Sequence, residues 1–94
     1  MPVEDSTNRE RRAESRRPAE GKATLWLNGC AVPGNLVDIA KSGFRARYRS
    51  PALLSGSIVE FELPGVNGRA RVVWTRILGE HVESGFLIVA RDTR

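Results

Sequence analysis

From residue 23 onward, apolar and polar side chains alternate along most of the chain, the period of strands with one face buried. Residues 23–28 (ATLWLN) predict the first such strand, and Asn28-Gly29 predicts a tight hairpin, since both positions tolerate positive φ. Cys30-Ala31-Val32 follows, Pro33-Gly34 punctuates, and residues 35–39 resume the strand with Leu36 and Val37. Residues 43–48 alternate clearly, with Phe44, Ala46 and Tyr48 on one face and Arg45 and Arg47 on the other. Residues 51–54 predict a connector or a single helical turn. Residues 57–63 place Val59, Phe61 and Leu63 inward and Glu60 and Glu62 outward. A broad turn over 64–68 leads to a strand over 69–76 (RARVVWTR). A hairpin around Leu78-Gly79-Glu80 then returns to a last strand over 81–89, where Gly85 suggests a bulge. Five to seven short strands, six in the favoured count, predict a small antiparallel β-barrel, with a sandwich as the alternative. A barrel closes the edges that so small a sheet would otherwise expose.

Residues 1–10 (MPVEDSTNRE) lack aromatics and periodicity and are expected to be a disordered leader. Residues 11–94 are then one barrel domain, entered by a flexible arginine-rich arm. The 94 residues have room for one modest core. No apolar run approaches the roughly 18–20 residues of a membrane span. The polar, charged N-terminus is unlike a secretory signal, so a cytoplasmic location is expected. Cys30 stands alone, which excludes an internal disulfide and a cysteine metal cluster and leaves a small half-buried apolar residue.

Charge adds the first chemical hint. The net charge is +4 and the pI is near 10.2, unevenly distributed. Residues 9–17 hold five arginines against two glutamates. Arg45, Arg47 and Arg49 form a second cluster, and Arg69, Arg71 and Arg76 a third, each also readable as a solvated face. Such a surface favours a phosphate-bearing partner.

Two segments carry more than bulk charge. In the first, Arg12 and Arg16 stand four apart within Arg11-Arg12-Ala13-Glu14-Ser15-Arg16-Arg17. The planar donor fork of arginine grips phosphate or guanine edges in pairs, and its face stacks on rings. In the second, Asp38-Ile39-Ala40-Lys41-Ser42-Gly43, an acceptor for a base's N–H groups sits beside a glycine turn. Taken alone, Asp38 would be read as an Asx-type turn former.

Together these segments resemble the PilZ domain family, small β-barrels that bind the bacterial second messenger cyclic di-GMP. The family's Arg-x-x-x-Arg motif matches Arg12-Ala13-Glu14-Ser15-Arg16, and its Asp/Asn-x-Ser-x-x-Gly motif matches Asp38 through Gly43. Arg71-Val72-Val73-Trp74 and Gly85-Phe86-Leu87-Ile88 are also similar, so the resemblance spans residues 9–90. It implies a cyclic di-GMP receptor domain that acts through a partner protein. Arg12 and Arg16 would grip phosphates and guanine O6/N7, with Arg11 adding a phosphate contact or stacking on a base. Asp38 would accept from guanine N1–H and N2–H₂, and Gly43 would let the backbone turn tightly beside the base. Binding would order the arginine arm across the barrel. One position departs from the pattern: Ala40 stands where the family has serine. A missing ligand hydrogen bond there costs about 0.5–1.5 kcal/mol, up to about tenfold in affinity.

Trp74 divides between core packing and an aromatic wall for a guanine, because its period-two neighbours Val72 and Arg76 disagree about the buried face. Trp26, between Leu25 and Leu27, reads as barrel packing, and His81 as a surface or turn histidine. A protein adaptor that has lost the ligand is the second functional reading. A nucleic-acid-binding barrel is the third, weakened because only six aromatics are present and most are at inward positions. No paired carboxylates, nucleophile–base set or metal cluster can be assembled from the motifs, which argues against an enzyme and against a bound cofactor.

Overall fold

The computed structural model describes residues 16–49 and 51–92. The expected leader and the arm residues Arg11 and Arg12 lie outside them. Seven strands follow in chain order: β1 (Arg17–Pro18), β2 (Lys22–Leu27), β3 (Cys30–Ile39), β4 (Gly43–Tyr48), β5 (Ile58–Leu63), β6 (Val66–Leu78) and β7 (His81–Arg91). All pairings are antiparallel. The order β3-β2-β5-β6-β7-β4 closes through a β3–β4 pairing into a six-stranded barrel, and β1 is the extra strand. The barrel expected from the alternation is therefore present, and the sandwich is not.

Strand β3 is long because Pro33-Gly34 does not end it. Pro33 lies opposite Thr24 in the β2–β3 ladder, and pairing continues through it to Asn35. Past Asn35 the same edge of β3 is taken by β1, with Arg17 opposite Ile39 and Pro18 opposite Asp38. The Ala19 N–H donates to the Val37 carbonyl at 3.1 Å, which secures this join. The hairpin at Asn28-Gly29 has φ values of 52° and 84°, the positive pair that its sequence favours. The broad turn expected over 64–68 contracts, since β6 already begins at Val66 opposite Leu63. Residues 51–54 contain no helix, and Leu53 enters the core.

The interior is filled by Leu25, Phe44, Phe61, Val59, Val72 and Phe86 with smaller neighbours. Phe44 stacks on Phe86 at a centroid distance of 4.6 Å and meets Phe61 at 5.0 Å. A hydrogen-bonded polar cluster borders this interior at Ser84, Tyr48 and Thr75. The Thr75 hydroxyl donates to the Leu53 carbonyl at 2.7 Å, so it accepts from Ser84 at 2.6 Å. Ser84 accepts in turn from the Tyr48 hydroxyl at 2.7 Å, and Tyr48 accepts from the Leu53 N–H at 2.9 Å. This closed ring of bonds ties the 51–54 connector to β4, β6 and β7 without leaving a buried polar atom unmatched.

Three expectations are corrected. Cys30 is exposed rather than half-buried. Trp26 lies partly buried on the outer face, beside Glu60 in the ladder and away from inward Leu25. It lines a shallow cleft of about 270 Å³ with Glu60, Glu62, Asn67 and Arg69. The extra residue near Gly85 belongs to the opposite strand: pairing steps from Val72–Phe86 to Trp74–Gly85, leaving Val73 as the bulge in β6.

Candidate functional site

Two bulges decide which side chains reach the outer wall. In β3, Leu36 points inward opposite Ala46, so strict alternation would turn Asp38 into the barrel. Pairing instead steps from Leu36–Ala46 to Asp38–Arg45, leaving Val37 as an extra residue. Asp38 is thereby aimed outward, level with Arg45, while Ile39 packs toward the core. In β6 the bulge at Val73 acts likewise. Val72 stays inside, and Trp74 comes out opposite Gly85. The ladder now reads Asp38, Arg45, Gly85, Trp74 across β3, β4, β7 and β6.

Asp38 is nearly enclosed, its side chain only 7% exposed. Its Oδ1 accepts from Arg16 Nη1 at 3.0 Å, and its Oδ2 accepts from Arg45 Nε at 2.8 Å and from Arg45 Nη2. Burial pushes the carboxyl's pKa up, but the hydrogen bonds and charges of Arg45 and Arg16 outweigh it and hold Asp38 below the usual carboxylate range. The bond to Asp38 likewise raises the Arg45 guanidinium, so the pair remains ionic.

One step along the wall lies a second buried carboxylate, Glu83. Arg47 Nε donates to its Oε1 at 3.1 Å. Arg45 Nη1 and Arg76 Nη2 approach its Oε2 at 3.6 and 3.8 Å. Four guanidiniums thus surround two carboxylates, which leaves a positive excess suited to an anion. Arg76 also lies 5.3 Å from the centroid of the Trp74 ring. That ring rests directly on Gly85, where an added Cβ would stand 2.3 Å from Trp74 Nε1.

The structure brings Arg16, Asp38 and Trp74 onto one wall. Ala40, two positions beyond Asp38, is buried and shapes the 40–43 turn by donating its N–H to the Gly43 carbonyl at 2.8 Å. Gly43 has an architectural reason to be glycine, since a Cβ there would meet the Phe86 carbonyl at 2.2 Å. Sequence reasoning missed Arg45 and Glu83 as direct members of the cluster. Arg45 was visible on the outward phase of β4, but Glu83 becomes its neighbour only once β4 and β7 are in register.

A family comparison matches the PilZ domain over residues 10–90. This chain belongs to the PilZ domain family. A comparison with curated proteins gives no match. The PilZ assignment supports a domain of the cyclic di-GMP receptor type, a class of binding domains. Among the described residues, no helix is long and apolar enough to cross a membrane.

Proposed function

We propose that this PilZ domain is a cyclic di-GMP receptor whose pocket is the outer wall from Asp38 to Trp74. The observation that carries this reading is the nearly enclosed Asp38 carboxylate between Arg16 and Arg45, on the same ladder as Gly85 and the Trp74 ring that rests on it, with Arg45 between. A carboxylate in that setting suits the paired N1–H and N2–H₂ donors of guanine. Arg11, Arg12 and Arg16 would supply the phosphates with forked donors, and Trp74 a face for a base. Ala40 would sit against the ligand without the family's hydroxyl. Binding would reorganise the arginine arm, because Arg16 must trade Asp38 for the ligand, and a partner protein would read that change.

A second reading, an adaptor that works without the nucleotide, draws on Ala40 and on the two Asp38 oxygens already engaged within the protein. Calorimetric titration with cyclic di-GMP separates the two. The receptor reading expects binding by wild type, with sharp losses in Arg12→Ala and Asp38→Ala. No heat at high micromolar wild-type protein would sink it and favour the adaptor.

A further inference from the structure

We infer that Arg45 is an internal competitor for the guanine site: its guanidinium occupies Asp38 as a stand-in for the base, and Glu83 is the second seat that receives it when the ligand arrives. This inference rests on the cyclic di-GMP reading of the same wall.

The chemistry of the two occupants is alike. The N1–H/N2–H₂ edge of guanine is a guanidine fragment held in a ring, and it offers the same pair of N–H donors as an arginine fork. Arg45 presents Nε and Nη2 to Asp38 Oδ2, while Arg16 holds Oδ1. With three N–H donors already on a carboxylate that accepts about four, and that carboxylate nearly enclosed, a guanine can gain its two bonds only by displacing an arginine. Arg16 lies ahead of the two-residue β1 with its side chain about half exposed, so that side chain can swing out into solvent. Arg45 is held at its backbone: it lies inside β4, paired on one side with Asp38 and on the other with Gly85. It must therefore turn at its side chain.

Glu83 gives that turn a destination. Its Oε2 lies 3.6 Å from Arg45 Nη1, beyond a good hydrogen bond but within ion-pair range. Glu83 is buried and already draws Arg47 and Arg76, yet a carboxylate accepts about four donors. A short rotation of Arg45 converts the loose approach into a full bond, so Arg45 stays ion-paired when it gives up Asp38. Ligand affinity is then reduced by the fraction of molecules in which Arg45 still holds Asp38.

The test measures cyclic di-GMP binding and association rates for wild type, Arg45→Met, Glu83→Gln and the double variant. Methionine keeps an unbranched apolar stem and removes the fork, and thermal melting checks that each variant folds. Arg45→Met is expected to tighten binding roughly fivefold or more, with the gain in the association rate, because the open state no longer has to be populated first. Glu83→Gln is expected to weaken binding, and that loss should vanish in the double variant. If wild type binds and Arg45→Met binds equally or less well, the competitor role is wrong while the receptor reading stands. If neither binds, both are wrong. Binding by Arg45→Met alone would support the competitor role, with Arg45 holding the guanine site shut, while the reading of the wild-type chain as a working receptor would fall.

Discussion

Replacing Gly85 with alanine asks whether Trp74 is truly seated on the outer wall. The new Cβ would stand 2.3 Å from Trp74 Nε1, 2.4 Å from Cε2 and 2.9 Å from Cζ2. Ordinary contact lies near 3.5–4.0 Å, so the ring must withdraw by roughly 1 Å or more. The backbone at Gly85 is held by β4 on one side and β6 on the other, so the ring yields rather than the strand. If a third of a tryptophan's usual burial is lost, about 50–80 Å² at ~25 cal/mol/Å², the cost is about 1–2 kcal/mol. Loosening the Arg76 contact adds about 0.5–1 kcal/mol. Alanine returns about 0.5–1 kcal/mol because its unfolded chain is less free than glycine's and loses less entropy on folding. The net loss of about 1–2 kcal/mol corresponds to a Tm lower by roughly 4–16 °C in a domain of this size. Thermal unfolding by circular dichroism reads the stability. Emission in a Trp26→Phe background reads the ring, which should shift to the red. An unchanged Tm together with unchanged emission would refute the seating of Trp74 on Gly85.

The held-down Asp38 makes the fold sensitive to acid. A carboxyl whose folded pKa lies below its unfolded value of about 3.9 contributes stability above that pH, and the contribution fades as pH falls through the folded value. Wild type should therefore lose Tm more steeply than Asp38→Asn below about pH 4, and parallel curves would contradict this. Tyr48→Phe removes the hydroxyl that accepts from Leu53 and donates to Ser84, so it should cost about 1–3 kcal/mol in denaturant unfolding; a loss under a few tenths would show that water replaces the ring of bonds. Ala40→Ser restores the family's hydroxyl on the Asp38 side of the turn and should tighten cyclic di-GMP by up to about tenfold, with unchanged or poorer affinity counting against a ligand contact at position 40.

The barrel was legible because its inward positions are so regular. Phe44, Ala46 and Tyr48, then Val59, Phe61 and Leu63, announce their strands and all lie buried. The site was legible as residue types but not as a surface. Period-two reading assumes unbroken alternation, and the two residues that matter most, Asp38 and Trp74, each follow a bulge. The conflict between Val72 and Arg76 over the face of Trp74 was in fact the trace of the Val73 bulge. No comparable conflict marks Val37, because Asp38 reads equally well as a turn residue. Arg45 and Glu83 are separated by 38 positions, and only strand register joins them. Pro33 misled for a simpler reason: proline breaks a ladder only where its missing N–H was needed, and the β2–β3 pairing runs past it.

The claim that one outer wall recognises guanine is tested most directly by following backbone, indole and arginine N–H signals by NMR as cyclic di-GMP is added. The account predicts that the largest shifts fall on Asp38, Gly43, Arg45, Gly85 and the Trp74 indole, and that the Arg45 Nε–H signal moves as its bond to Asp38 is broken. Shifts centred instead on the groove beside Lys22, Arg49 and His81, or no shifts at saturating nucleotide, would contradict it.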